Sequence, residues 1–503
     1  MEMFDLLAQR AQVSPDRLAL EDLDDGTRYT YRQLNEQAAR FAAAATQRWK
    51  LSPGDRIAYL GHSRAEFFAM LFGCAKAGFI LVPLNWRLAL PELQVLMADA
   101  TPAALIYGSE FEAIALQLTQ SGVQGVLLGS KQATESHANY YAALEAVTPD
   151  LSAHETRSPD SPWYLLYTSG TTGQPKGVIQ TFRMMESNYF NIGVAVGITQ
   201  DDVLLNVLPM FHTAGINLYS SAVLMAGGCV LVSRNFDVDQ ALGVLANRAT
   251  VFFGVPAVYQ TLLESSSFNP KALSSVRSWG CGGAALPAHV AQRYADFGIW
   301  IRTGMGMTET GPTVFLLDEE RVLDKTGSVG RPQLLVEARI VDHHGNDVAD
   351  GEAGELLVRG PGITPGYWNR PDATDSAITR DGWFHSGDVA RCDPDGFYYI
   401  VDRWKDMFIS GGENVFPAEV EKALYQHPAI EDVAVIGIAD ERWGEVGKAF
   451  YTTAAQSTPP DSAELKSFCR ERLAGYKVPK IFEHLEQLPR NAVGKITKQS
   501  LRK

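Results

Sequence analysis

Apolar positions along the first part of the chain recur with two alternating periods. Over residues 31–49 they return every three to four positions, the spacing of one face of a helix. A short apolar run follows at 56–61, helical spacing returns at 65–77, and short apolar strands are expected at 79–82 and 103–107. The most apolar stretch, 67–84, is broken by Lys76, Gly78 and Pro83, and it falls short of the ~20 apolar residues that span a bilayer. It reads as a buried helix followed by a buried strand. The same rhythm runs on through 161–315, with strands expected at 163–167, 203–207, 229–232 and 251–254, and helices around 181–196, 239–248 and 256–264. Alternation of this kind predicts mostly parallel sheets flanked by helices.

The texture changes near residue 320. Short strands with turns follow at 337–341, 354–359 and 396–401, with a turn at His344-Gly345, the pattern of a small, mainly antiparallel β subdomain with a barrel-like character over 320–401. From Arg403 the pattern is mixed: a helix over 417–426, a strand over 433–438, a helix over 461–473. The expected fold class is therefore α/β. A large N-terminal domain, 1–401, carries the parallel sheets and the β subdomain. A small α+β C-terminal domain follows over 402–503, with the boundary at Asp402.

The length of 503 residues fits two to four folding units at roughly 100–200 residues each. A net charge of −14 argues against a broad nucleic-acid or anionic-membrane surface, yet leaves room for a local cationic site. The five cysteines (Cys74, Cys229, Cys281, Cys392, Cys469) lie far apart with no CxxC pair, as expected of reduced thiols in a cytoplasmic protein. The N-terminus lacks the basic start and apolar run of a signal peptide.

The strongest chemical signal is Tyr167-Thr168-Ser169-Gly170-Thr171-Thr172-Gly173-Gln174-Pro175-Lys176-Gly177. A predicted strand enters a run of three glycines, four hydroxyl residues and one lysine. Glycines let backbone N–H groups wrap an anion, and hydroxyls and an ammonium add donors for phosphate oxygens. The spacing is not that of a Walker A loop. A second Gly/Thr-rich run, Gly304-Met305-Gly306-Met307-Thr308-Glu309-Thr310, carries a carboxylate suited to a hard cation such as Mg²⁺. Read without further context, it is equally a solvated turn. Asp388 and Arg403 pair a carboxylate with a cation, which suits a ribose diol or an ordinary surface ion pair. Lys495, followed by Lys498, Arg502 and Lys503, reads on its own as part of a basic tail.

These segments together resemble the adenylate-forming superfamily of acyl-CoA synthetases, luciferases and peptide-synthetase adenylation domains. The collinear similarity runs from Pro83-Leu84-Asn85 to Gly494-Lys495 and covers most of the chain. The resemblance implies that residues 168–173 and Lys176 bind the ATP phosphates. It implies that Thr308 contacts the AMP phosphate and that Glu309 holds Mg²⁺. Gly283, Ala284, Ala285, Met305, Gly306 and Met307 would line the adenine site, with Met305 where relatives place an aromatic ring. Asp388 and Arg403 would bind the ribose hydroxyls, Asp402 would be a hinge, and Lys495 would bridge the carboxylate and the α-phosphate. Thr168, Thr308, Glu309 and Lys495 are thus the expected catalytic set. His212, Ala214, Gly215, Gly282, Met305 and Met307 would form the acyl pocket, and Gly411 and Gly412 the pantetheine channel.

The activity so implied is ATP-dependent ligation of a carboxylic acid to coenzyme A through an acyl-adenylate, with ATP, Mg²⁺ and coenzyme A required. The expected partners are small molecules, with no nucleic acid and no membrane span; a homodimer is admissible. Two other readings stay open at this point: an adenylating enzyme with another acceptor such as a carrier-protein thiol, and a non-catalytic nucleotide-binding regulator. The small or apolar pocket residues favour an uncharged fatty or aromatic tail. Plant hydroxycinnamate ligases carry lysines where this chain has Ile409 and Gly411 and a tyrosine where it has Ala214, which disfavours a plant-type enzyme.

Overall fold

The computed structural model describes residues 5–120, 122–129, 138–151, 157–169, 175–403, 406–410, 413–440, 443–453, 458–473, 475–490 and 496–502. The chain divides into two compact units, Met1–Glu337 with Val358–Phe384, and Ala338–Leu357 with His385–Lys503.

The first unit holds two sheets. One has seven strands in the order Ala138–Asn139, Gln124–Leu128, Ala104–Gly108, Arg56–Leu60, Ile80–Pro83, β1 (Pro162–Ser169) and β2 (Pro175–Thr181). Its pairings are parallel except the last, where β1 and β2 run antiparallel with Thr168 opposite Lys176. The other has nine strands, and its central run is parallel: β3 (Ile301–Met305), Ser278–Cys281, Val251–Gly254, Val203–Asn206, Cys229–Val232 and Leu18–Asp22. The expected mostly parallel architecture is what forms. Helix Ala65–Ala77 is buried all round from Ala65 to Ala75, which explains the apolar run 67–75 within it. Gly78, at φ 74°, ends it in the left-handed conformation that glycine adopts without steric cost.

Two local departures from the expected elements matter for the site. Residues 175–181 form a strand, so the Gly/Thr/Ser run joins two antiparallel strands rather than a strand and a helix. The Pro-Lys-Gly start hides that strand, because none of the three favours a pleated surface. The expected helix over 181–196 is α-helical at Phe182–Asn188, opens into a π turn at Tyr189–Gly193, and resumes at Val194–Val196. Here Asn188 Nδ2 donates to the carbonyls of Asn217 and Leu218, and Asn191 Nδ2 to that of Thr313. Wide turns of this kind cluster at functional sites.

The second unit contains a sheet in sequential order, Glu337–Val341, Ala353–Arg359, Phe384–Cys392 and Tyr398–Arg403. It also contains a five-stranded sheet in which Ile430–Asp440, at one edge, and Gly444–Thr453 form a long hairpin. Helices Pro417–Leu424 and Ser462–Arg470 bury Val420, Leu424, Leu465 and Cys469 into that unit's core.

Candidate active site

The phosphate loop expected from the sequence falls between β1 and β2. Gly170, Thr171, Thr172 and Gly173 lie outside the described residues, as does the side chain of Ser169. The two strands that carry the loop are described, and they set Thr168 and Lys176 side by side at its base. The Lys176 ammonium stands 4.9 Å from the centroid of the Tyr367 ring.

The run after β3 lies against this hairpin. Gly306 must be glycine, because a Cβ there would stand 1.3 Å from the Pro312 carbonyl oxygen, where the chain folds back. Each step of the following turn is tied to a different element. Gln180 of β2, fully buried, donates through Nε2 to the Thr308 carbonyl at 2.8 Å. Thr364 N–H donates to the Glu309 carbonyl at 2.8 Å, and Asn217 Nδ2 to that of Gly311 at 3.0 Å. The Tyr367 hydroxyl donates to Glu309 Oε1 at 3.1 Å. Glu309 is 8% exposed and Thr308 half-buried. The fold therefore brings Thr168, Lys176, Thr308 and Glu309 into one neighbourhood. Carboxylate and hydroxyl oxygens are the hard donors Mg²⁺ takes, usually one or two carboxylates completed by substrate phosphates, so Glu309 fits that ion.

On the neighbouring strand ends, a Cβ on Gly282 would lie 3.1 Å from Phe253 Cζ and 3.3 Å from the Gly304 carbonyl oxygen. Gly283 (φ 80°), Ala284 and Ala285 are exposed beyond it, and Met305 and Met307 are half-buried. His212 sits in the turn before a second π segment, Ala214–Leu218, which Gly215 enters with no room for a side chain; a Cβ would stand 2.3 Å from the Pro209 carbonyl oxygen. Phe211 packs on the His212 ring at 4.7 Å. Among the described residues, the buried Nε2 of His212 has no hydrogen-bond partner. Burial, helped by the positive charge of Arg87, holds this imidazole down at about 4, so it is neutral at physiological pH.

In the second unit, Asp388 is 8% exposed and sits opposite Arg403 in the register of their antiparallel strands. The Arg403 side chain lies outside the described residues. Asp402 is buried, and its Oδ2 accepts from the Ala418 amide at 2.7 Å, in the first turn of helix Pro417–Leu424. Gly411, Gly412 and Lys495 lie outside the described residues. The residues flanking Lys495 are anchored: Arg490 pairs with Asp432 and bridges to Ile496, and Lys498 pairs with Glu421 at 2.8 Å. Arg502 pairs with Asp406 at 3.3 Å. Lys498 and Arg502 are thus engaged by carboxylates rather than being a free basic tail.

The model of the AMP-binding enzyme family matches residues 7–368, and that of the AMP-binding enzyme C-terminal domain matches 419–495. The chain belongs to the AMP-binding enzyme family. It is 40% identical to a feruloyl-CoA synthase of an Amycolatopsis species, over 98% of this chain and 97% of that protein. The solved o-succinylbenzoate CoA synthetase of Bacillus subtilis with its acyl-adenylate intermediate is similar at a TM-score of 0.89 and 31% identity, covering 100% of this chain and 99% of that one. The same synthetase with ATP and magnesium ion gives 0.88 and 32%, with full coverage of both chains. This AMP-binding enzyme is an ATP-dependent acid–CoA ligase of the AMP-forming kind, and ATP, Mg²⁺ and coenzyme A serve its reaction. Among its described residues, no helix is long and apolar enough to cross a membrane.

Sequence reasoning singled out none of Gln180, Asn217, Thr364 and Tyr367. They come from three separate segments, one of them carrying both Thr364 and Tyr367, and no spacing rule links the three. Tyr367, in Gly366-Tyr367-Trp368, reads as an apolar turn.

Proposed function

We propose that the acid this ligase activates has an uncharged, planar aromatic tail, of the substituted cinnamate class. The observation that carries this reading is the small or apolar set Ala214, Gly215, Gly282, Met305 and Met307 together with a His212 held neutral by burial. These side chains bring no charge of their own to the acyl tail, so an uncharged tail fits them better than a second carboxylate. The similarity to a feruloyl-CoA synthase supports the same class.

In this reading the acid carboxylate attacks the α-phosphate of ATP, and pyrophosphate leaves. Two anions must be brought together, so cationic and donor groups have to lie between them. We assign that work to Lys176, Thr168 and the loop residues 169–173 on the phosphates, Thr308 on the departing nucleotide, and Lys495 at the attacking oxygen. Mg²⁺ on Glu309 would supply further charge neutralisation. Asp388 and Arg403 hold the ribose, and residues 283–285 with 305–307 flank the adenine. His212, Ala214, Gly215, Gly282, Met305 and Met307 bound the acyl tail. The coenzyme A thiolate then attacks the acyl carbon, and AMP departs. Lys495 is needed in the first step alone, which assigns the C-terminal domain from Asp402 onward a pivoting role and Gly411 and Gly412 a place beside the incoming thiol. We also assign the chain to the cytoplasm and to a homodimer, the latter checked by sedimentation.

A substrate panel read by pyrophosphate release tests the acid class. Substituted cinnamates should give the highest kcat/KM, ahead of medium- and long-chain fatty acids and of dicarboxylates. A fatty acid leading the panel would overturn the aromatic assignment.

A further inference from the structure

We propose that Tyr367 is a positioning residue for the ATP step: its hydroxyl fixes the Glu309 carboxylate and its ring face parks the Lys176 ammonium, keeping the two opposite charges apart until Mg²⁺ and ATP claim them. The inference rests on the roles assigned above to Glu309 and Lys176.

The placement of Tyr367 is determined by its backbone. Gly366 turns the chain at φ 144°, and a side chain there would collide with Thr374. The Tyr367 amide then donates to Thr374 Oγ1 at 3.0 Å. Tyr367 bridges to Val178 of β2, the Trp368 amide donates to the Gly177 carbonyl at 2.7 Å, and the Ile179 amide to the Gly366 carbonyl at 3.1 Å. The same segment reaches the Glu309 backbone through the Thr364 amide. One short segment is thus fastened both to the strand that bears Lys176 and to the turn that bears Glu309.

The two contacts differ in kind, and that difference is what the chemistry requires. At this half-buried site an ammonium over a ring face is held less tightly than by a carboxylate, and phosphate oxygens can displace the ring. A lysine paired directly with Glu309 would instead compete with both the triphosphate and the cation. The hydroxyl on Oε1 limits the rotamers of the carboxylate while leaving its charge in place.

The test compares Tyr367→Phe, Tyr367→Leu and a Glu309→Gln control by calorimetric binding of ATP with Mg²⁺, ATP in EDTA, and AMP in EDTA. In Tyr367→Phe the ring remains and the Glu309 hydrogen bond is lost. The gain in ATP affinity that Mg²⁺ confers should shrink by about tenfold, the effect of one lost hydrogen bond to a charged group, and ATP affinity in EDTA should hold. In Tyr367→Leu both contacts are lost, and ATP affinity in EDTA should fall as well, because Lys176 now pairs with Glu309. AMP affinity in EDTA should stay within about twofold in both, since neither contact faces a lone α-phosphate group. Equal losses in all three titrations, or an unchanged Mg²⁺ gain in Tyr367→Phe, would overturn the inference. If Glu309→Gln also leaves the Mg²⁺ gain intact, the metal assignment itself fails, which separates the two outcomes.

Discussion

Replacing His212 by Gln should make the protein less sensitive to acid. The imidazole ordinarily titrates near 6.5; here burial, with the charge of Arg87, brings it to about 4. The sign follows directly. Below pH 6.5 the unfolded chain takes up a proton at this position that the folded chain refuses, so stability falls as pH drops from 6.5 towards 4. At pH 5 the gap is about 1.5 pH units, worth roughly 2 kcal/mol at ~1.4 kcal/mol per unit, less whatever solvent reaches the open edge of the ring. Urea unfolding at pH 7.5 and pH 5 checks this: wild type should lose about 2 kcal/mol more than His212→Gln over that interval. Histidine-selective carbon labelling gives a direct readout. The resonance missing from the variant should stay in its neutral position down to pH 5. The same neutrality bears on function, because a neutral ring cannot serve as counter-cation to the acid. The KM for the acid should then show no inflection at pH 6.5–8 attributable to this residue. A resonance titrating near 6.5, or equal acid losses in both proteins, would refute the reasoning.

Gln180→Leu removes a buried donor and strands the Thr308 carbonyl. It should cost about 1–3 kcal/mol in stability and raise the KM for ATP more than that for the acid, read from steady-state kinetics and urea unfolding. Lys495→Ala should lower adenylation by about 10²–10³ while leaving thioester formation from preformed acyl-adenylate near wild type; equal loss in both half-reactions would count against a pivoting C-terminal domain. Asp202 is raised by burial but lowered further by Arg277, the Thr199 amide and the Thr250 hydroxyl, for a net downward shift. Asp202→Asn should therefore destabilise by about 2 kcal/mol at neutral pH, below the ~3–5 kcal/mol of a fully buried pair because Arg277 is 40% exposed, and the difference from wild type should close as pH falls below 4 through the depressed carboxyl value, measured by unfolding midpoints.

The alternation of strand and helix was legible in the sequence because each element carries its own period. Residues 65–77, 229–232, 251–254 and 256–264 form the expected elements at the expected bounds, since burial on a given face selects apolar residues at fixed spacing. The glycine-rich run around 306 was legible for a related reason: a close backbone crossing imposes composition locally. Strand 175–181 was hidden, because its pairing with β1 rather than its own propensity makes it a strand. The π turns at 189–193 and 214–218 were hidden too, since they answer to side chains of Asn188, Asn191 and Asn217 finding carbonyls on distant segments. Glu309 and Lys176 are visible one at a time in the sequence, each inside its own motif. That a single tyrosine, nearly sixty residues from one and nearly two hundred from the other, touches both was decided only by tertiary structure. Local composition records what a backbone must do in place, whereas a contact between separate segments leaves no periodic trace in any of them.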